Sequence, residues 1–197
     1  MKRRGFIGFV SAFALSAALP GTASALNDAQ AKALVDNVVR DINKVIASGK
    51  SLNSMIKDFE RIFVKYADVP IIARSALGAD ARRATGSQLN SYTKAFQGYI
   101  ARKYGKRFEE FVGGRIEVKD ARQVKSFHEV RTIAYLKGQS PFDVNFLVSD
   151  KSGKPRFFDM IIEGISLRLS EKEEIGAMLD RRKGNIDQLT QDLKKAG

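Results

Sequence analysis

The apolar pattern of this chain changes period at Gly113-Gly114. Before the glycines, apolar residues recur every three or four positions, the spacing of helices that bury one side. From Arg115 to Glu163 they tend to alternate, the period of a half-buried strand. After Ser166 the helical spacing returns. A chain that reads as helices, then strands, then helices again is expected to be α+β, with helices packed on one face of a curved antiparallel sheet.

The helical part resolves into several segments. Leu34, Val35, Val38, Ile42, Val45 and Ile46 form a stripe along a helix from about Asp28 to Ser48, stopped by Gly49. Ser51 caps a second helix with Leu52, Met55, Ile56, Phe59, Ile62, Phe63 and Tyr66 on one side. Asp68 caps a third, which tolerates Pro70 in its first turn and ends at Gly78; Ala79 to Thr85 reads as a short helical turn. The longest helix is expected from Ser87 to the paired glycines. Its broad side carries Leu89, Tyr92, Phe96, Tyr99, Ile100, Tyr104, Phe108 and Phe111.

Four strands are expected next: Arg115 to Lys125, Glu129 to Lys137, Phe142 to Ser149 and Pro155 to Glu163. The third alternates cleanly, with Phe142, Val144, Phe146 and Val148 on one face. The fourth places Phe158, Met160 and Ile162 on one face and Asp159, Ile161 and Glu163 on the other. Ser149 to Gly153 is a hairpin loop. Ser170 with Glu173 reads as a capping box for a helix bearing Ile175, Met178 and Leu179; Asn185 with Gln188 starts a last one.

The first 25 residues read as an export signal and are excluded from the fold. Lys2, Arg3 and Arg4 precede an apolar run from Phe6 to Leu19, and Ala23-Ser24-Ala25 is a small-x-small cleavage site. Arg3-Arg4 followed by Phe6-Ile7 also fits a twin-arginine signal, so both the Sec and the Tat route stay open. Residues 26–197 are expected to form one domain. They lack cysteine, which removes disulfides, thiol nucleophiles and thiolate ligands. Three of the 12 net positive charges sit in the signal, so residues 26–197 carry the other nine. That balance suits a polyanionic partner, either nucleic acid or an anionic membrane or headgroup, and export argues against the first.

No catalytic constellation emerges. His128 is the only histidine and has no cysteine beside it, so a histidine-rich metal site is excluded. Asp159 and Glu163 are expected roughly 13 Å apart on one strand face, too far for a glycosidase pair. Pairing with an arginine, or capping backbone groups, suits them better. Ser166 lacks the setting of a nucleophile elbow, and no glycine-rich phosphate loop occurs. What the chain offers is apolar surface, with 13 phenylalanines and five tyrosines but no tryptophan.

The run from Asp159 through Gly164-Ile165-Ser166-Leu167 resembles the C-terminal signature of the Mla-type periplasmic phospholipid carriers, the MlaC or toluene-tolerance auxiliary family. Tyr66-Ala67-Asp68-Val69-Pro70 with Ile72-Ala73-Arg74 and Leu77-Gly78 is similar to the family's central motif. So are Gln88, Tyr92, Phe96, Tyr99 and Tyr104-Gly105, and Gly184 to Leu189 resembles its closing helix. The order holds from about Asn27 to Leu193. Ala79 and Ile175 stand where family members often carry aromatics.

The resemblance implies an NTF2-like fold around a hydrophobic pocket that holds a glycerophospholipid, acyl chains inside and headgroup at the mouth. It implies no cofactor, metal or catalytic residue. It implies a monomeric periplasmic shuttle between an outer-membrane lipoprotein–porin complex and an inner-membrane ABC transporter with an MCE-domain ring, maintaining outer-membrane lipid asymmetry. The expected lining is Val69, Ile72, Leu77, Phe96, Ile100, Tyr104, Val144, Phe146, Phe158, Met160 and Ile162. Arg74, Arg82, Arg83 and Lys103 are expected near the mouth. Two other readings remain open. An NTF2-like enzyme or other small-molecule binder would need a carboxylate or histidine inside the pocket. A nucleic-acid binder would need clustered basic residues with exposed aromatics.

Overall fold

The computed structural model describes residues 26–197; the expected export signal, residues 1–25, lies outside them. Asn27 opens the first helix, α1 (Asp28–Ile46), through a capping box with Gln30. The helices α2 (Leu52–Tyr66) and α3 (Val69–Leu77) follow, then a 3₁₀ turn (Gly78–Arg82). Thr85 and Gln88 form a second capping box at the start of α4 (Gly86–Gly105). A short α5 (Phe108–Phe111) leads into the sheet.

The strands are β1 (Arg115–Val124), β2 (Phe127–Tyr135), β3 (Phe142–Ser149), β4 (Arg156–Ile162) and the two-residue β5 (Ile165–Ser166). They pair in sequence order as an antiparallel meander. Helices α6 (Leu167–Arg181) and α7 (Ile186–Leu193) complete the described chain. One face of the sheet packs on the helices. His128, Val130, Thr132 and Ala134 of β2 are buried there, as are Val144, Phe146 and Val148 of β3. Among the helices, α2 and α7 pack on α4, and α3 packs on α6. The result is the expected α+β arrangement of helices against an antiparallel sheet.

Three local expectations are corrected. The long aromatic helix does not run to Gly113: α4 ends at Gly105. A Cβ on Gly105 would stand 2.9 Å from Ile56 Cγ1, so the backbones of α2 and α4 meet where a side chain has no room. The chain turns there and restarts as α5.

The second correction concerns β4. Phe146 pairs with Met160 and Leu147 with Asp159, but Val148 pairs with Phe157. Phe158 is therefore the extra residue of a β-bulge, which reverses the alternation behind it. Phe157 takes the buried position, edge-on to Phe146 at 5.4 Å. Phe158 leaves the face shared by Met160 and Ile162 and meets Phe127 edge-on at 5.6 Å, beneath the Arg168 guanidinium.

The third is the start of α6. Ser166, not Ser170, is the N-cap: its hydroxyl accepts from the Leu169 amide at 3.1 Å. Asp159, only 2 % exposed, holds this end of the helix. Its carboxylate accepts from the Ser166 hydroxyl at 2.6 Å and from the Arg168 amide at 3.0 Å. The Arg168 guanidinium lies 3.7 Å away. Between β4 and β5 the chain reverses in two residues, Glu163 (φ 49°) and Gly164 (φ 82°), both in the left-handed region that such a hairpin turn needs.

Asp159→Ala leaves the Ser166 hydroxyl, the Arg168 amide and a half-buried guanidinium without their acceptor. We expect a loss of about 2–3 kcal/mol in urea unfolding. An unchanged midpoint would show that water replaces the carboxylate at no cost.

Candidate functional site

Between the sheet and the helices lies a cavity of about 350 Å³. Its walls come from seven elements. Phe142, Val144 and Phe146 project from β3, and Met160 and Ile162 from β4. Ile42 of α1, Phe59 of α2 and Ile116 of β1 close the far side, with Tyr104 and Phe111 beside them. The antiparallel register explains the sheet wall. Val144 lies opposite Ile162 and Phe146 opposite Met160, so four side chains share one face at cross-strand spacing. Phe111 meets Phe142 edge-on at 6.4 Å, which ties α5 to the first residue of β3.

Polar residues line only one end. Arg107, Gln139, Ser140 and Glu163 are all exposed, whereas Ile42, Phe59, Ile116, Val144 and Phe146 are buried. The exposed set marks the mouth. Arg107 pairs with Glu110 at 3.3 Å, a solvated pair that holds the guanidinium only weakly. Glu163 sits in the β4–β5 turn, where its amide donates to the Asp143 carbonyl at 3.0 Å.

Of the residues expected to line a pocket, Tyr104, Val144, Phe146, Met160 and Ile162 stand together on this cavity. Val69, Ile72, Leu77, Phe96 and Ile100 do not reach it. They are buried in the core, where α3 packs on α4 and α6, and Phe96 lies between the rings of Tyr92 and Tyr99. The apolar stripe of α4 is core along most of its length, and only its last turn arrives at the cavity. Phe158 belongs to a separate surface pocket with Phe127, Ile71 and Arg156. Ile42, Phe59, Phe111, Ile116 and Phe142 line the cavity without having been singled out. Phe142 carried a signal, the shared alternation with Val144 and Phe146.

The four basic residues expected at the mouth are elsewhere too. None of Arg74, Arg82, Arg83 and Lys103 lines the cavity. Arg83 pairs with Asp80, and Arg74 and Arg82 are exposed. The Lys103 ammonium is bound to Glu171 at 2.7 Å and also to Glu174. Burial opposes its charge, but those two carboxylates outweigh burial and hold the ammonium above its usual range. The basic residue at the mouth is Arg107.

Behind Tyr104 lies a buried polar cluster. The Tyr104 hydroxyl donates to Glu171 Oε1 at 2.6 Å, and the Tyr99 hydroxyl donates to Glu174 Oε1 at 2.7 Å. Glu171 is fully buried. Burial, and then the hydrogen bond to Glu171, pushes the Tyr104 phenol far above its ordinary range. Burial followed by Glu174 does the same to Tyr99, and burial followed by the nearby Glu171 charge to Tyr92. The ring of Tyr104 thus faces the cavity while its hydroxyl is committed to Glu171. His128 is remote from this site, held between Asp28 Oδ1 at 2.6 Å and the Leu26 carbonyl at 2.9 Å. Among the described residues no group of three or more His, Cys, Asp or Glu could hold a metal ion, and no helix is long and apolar enough to cross a membrane.

An antiparallel sheet curled against helices, with one apolar cavity open at a polar rim, defines a small α+β cavity protein. Residues 32–195 match the family model described as MlaC protein, and the chain belongs to that family. A phospholipid-binding protein from Ralstonia solanacearum, solved in complex with a phospholipid, has the same fold. It superposes with a TM-score of 0.71 at 21 % sequence identity, covering 84 % of this chain and 95 % of that one.

Two outcomes are expected from these contacts. The raised phenols of Tyr92, Tyr99 and Tyr104 stabilise the fold fully below the ordinary tyrosine range, near pH 10, and that contribution fades as pH rises through it. Tyrosinate absorbance at pH 10–11 should therefore report fewer than the five tyrosines until the protein unfolds. Tyr104→Phe removes a donor from the buried Glu171 and should cost about 1–2 kcal/mol in chemical unfolding. Complete ionisation of the folded protein, or a neutral Tyr104→Phe, would contradict the cluster.

Proposed function

We propose that this protein is a phospholipid-binding shuttle. Acyl chains occupy the cavity walled by Val144, Phe146, Met160 and Ile162, and the headgroup stays at the rim of Arg107, Gln139, Ser140 and Glu163. The single observation that carries this reading is the cavity itself, apolar on every side except one polar end. Membership of the MlaC family, and a fold shared with a protein that holds a phospholipid, support it.

The energetics require such a device. Each methylene moved out of water gains about 0.8 kcal/mol, so two chains of roughly 28 methylenes cost on the order of 20 kcal/mol to expose. Free diffusion through an aqueous compartment is negligible at that cost. A carrier whose interior is nearly as apolar as a bilayer keeps loading and unloading close to balanced. The volume of about 350 Å³ lies at the lower end of small-molecule sites, so a second full chain requires the walls to part.

The compartment we assign is the periplasm, with residues 1–25 removed on export. The partners are an MCE-domain ABC transporter at the inner membrane and a lipoprotein–porin complex at the outer, in a system that maintains lipid asymmetry. The positive charge of residues 26–197 favours approach to anionic membranes. A catalytic role fits less well. The lining contains no histidine, and its one carboxylate, Glu163, is exposed at the rim.

Native mass spectrometry of protein purified from a bacterial periplasm is expected to show stoichiometric phospholipid, and to count its chains. Phe146→Asp or Met160→Asp, which puts a carboxylate against the chains, should give folded protein without lipid. A folded variant with undiminished lipid would remove that residue from the site. Wild-type protein that neither carries phospholipid nor takes it up from vesicles would overturn the assignment.

A further inference from the structure

The segment that leads into α1 is fastened at Leu26. The Leu26 amide donates to Asp150 Oδ2 at 3.0 Å, and the Leu26 carbonyl accepts from His128 Nε2 at 2.9 Å. His128 Nδ1 meets Asp28 Oδ1 at 2.6 Å, so each ring nitrogen faces an oxygen. Asn27 caps α1. The Leu26 side chain is half-buried against the core. Leu26 and Asp28 are thus held by the start of β2, and Leu26 also by the β3–β4 hairpin.

Asp150 is the member of this set whose charge is not otherwise used. It lies partly buried at the tip of that hairpin, and among the described residues its carboxylate has no basic side chain paired with it. Its carboxylate accepts from one backbone amide, that of Leu26. Leu26 is also the residue that follows Ala23-Ser24-Ala25.

We propose that Asp150 is a receptor for the α-ammonium group created when the chain is cut between Ala25 and Leu26. Hydrolysis of that peptide bond consumes one water: the Ala25 carbonyl leaves as a carboxylate, and the Leu26 nitrogen becomes an amine that takes up a proton. A neutral N–H donor to Asp150 is replaced, with no movement of the chain, by a cation with three donors, which is charged at pH 7. Charge-assisted bonds of this type are shorter and stronger than neutral ones. Processing therefore completes an ion pair that the precursor cannot form, and it latches α1 onto the sheet at the hairpin beside β4. Ile42 of α1 and Met160 of β4 both line the cavity, so the latch joins two of its walls. The inference rests on residues 1–25 being a cleaved signal and is independent of the identity of the cargo.

The test is a two-by-two comparison. One protein begins at Leu26, and a second carries one added glycine before it; each is made with Asp150 and with Asp150→Asn. The chain starting at Leu26 should melt about 2–4 °C above the glycine-extended chain when Asp150 is present, and the difference should vanish with Asp150→Asn. Equal melting of the two Asp150 proteins would overturn the latch, as would a difference that survives Asp150→Asn. Intact mass of the exported protein separates this from the cleavage assumption: a chain beginning at Leu26 is expected, and any other start would refute the proposed cut.

Discussion

The buried carboxylate of Asp159 is the fixed point of this structure. It sits on β4 beside the bulge and accepts from the hydroxyl and amide groups that open α6. Its position sets where α6 begins, and so where Glu171 lies one turn further along. Glu171 receives the Tyr104 hydroxyl and the Lys103 ammonium, which holds the last turn of α4 against α6. That turn presents the Tyr104 ring to the cavity. A buried carboxylate on β4 thus bears, through α6, on the position of an aromatic wall contributed by α4. Buried carboxylates are tolerated when several donors meet them, and here the donors belong to the elements that must be placed.

The cavity owes its apolar character to the sheet and its polar rim to the connections. The β3 and β4 residues facing inward are at cross-strand positions, where side chains stand close enough to make a continuous wall. Arg107, Gln139, Ser140 and Glu163 lie between elements or at their ends, where the backbone reaches solvent. A ligand with a long apolar part and a charged end matches this division. Arg107 and Glu163 carry opposite charges at that rim, and neither is locked in a buried pair.

The inward face of β3 was legible because β3 is regular: alternation places Val144 and Phe146 together whatever else the chain does. It misplaced Phe158 because a bulge adds one residue and inverts the faces, and nothing in the local composition of Arg156 to Ile162 announces it. The same limit applied to the long aromatic helix. Its stripe is real, but Phe96 and Ile100 are spent on packing between helices, and Gly105 ends the helix where α2 passes within contact distance of its backbone. Lys103, an ordinary basic residue in sequence, is neutralised by two carboxylates, 68 and 71 residues away.

By itself, then, the sequence determined the order of helices and strands, the apolar face of β3, the cap at Asn185, and a likeness to the MlaC family. Those features are local: periodicity, turn chemistry and short motifs act over a few residues. Only the tertiary structure decided which apolar stripe is core and which borders a cavity, which cation stands at its rim, and which acid caps which helix. Each of those depends on the distance between residues far apart in the chain, and no local pattern encodes that distance.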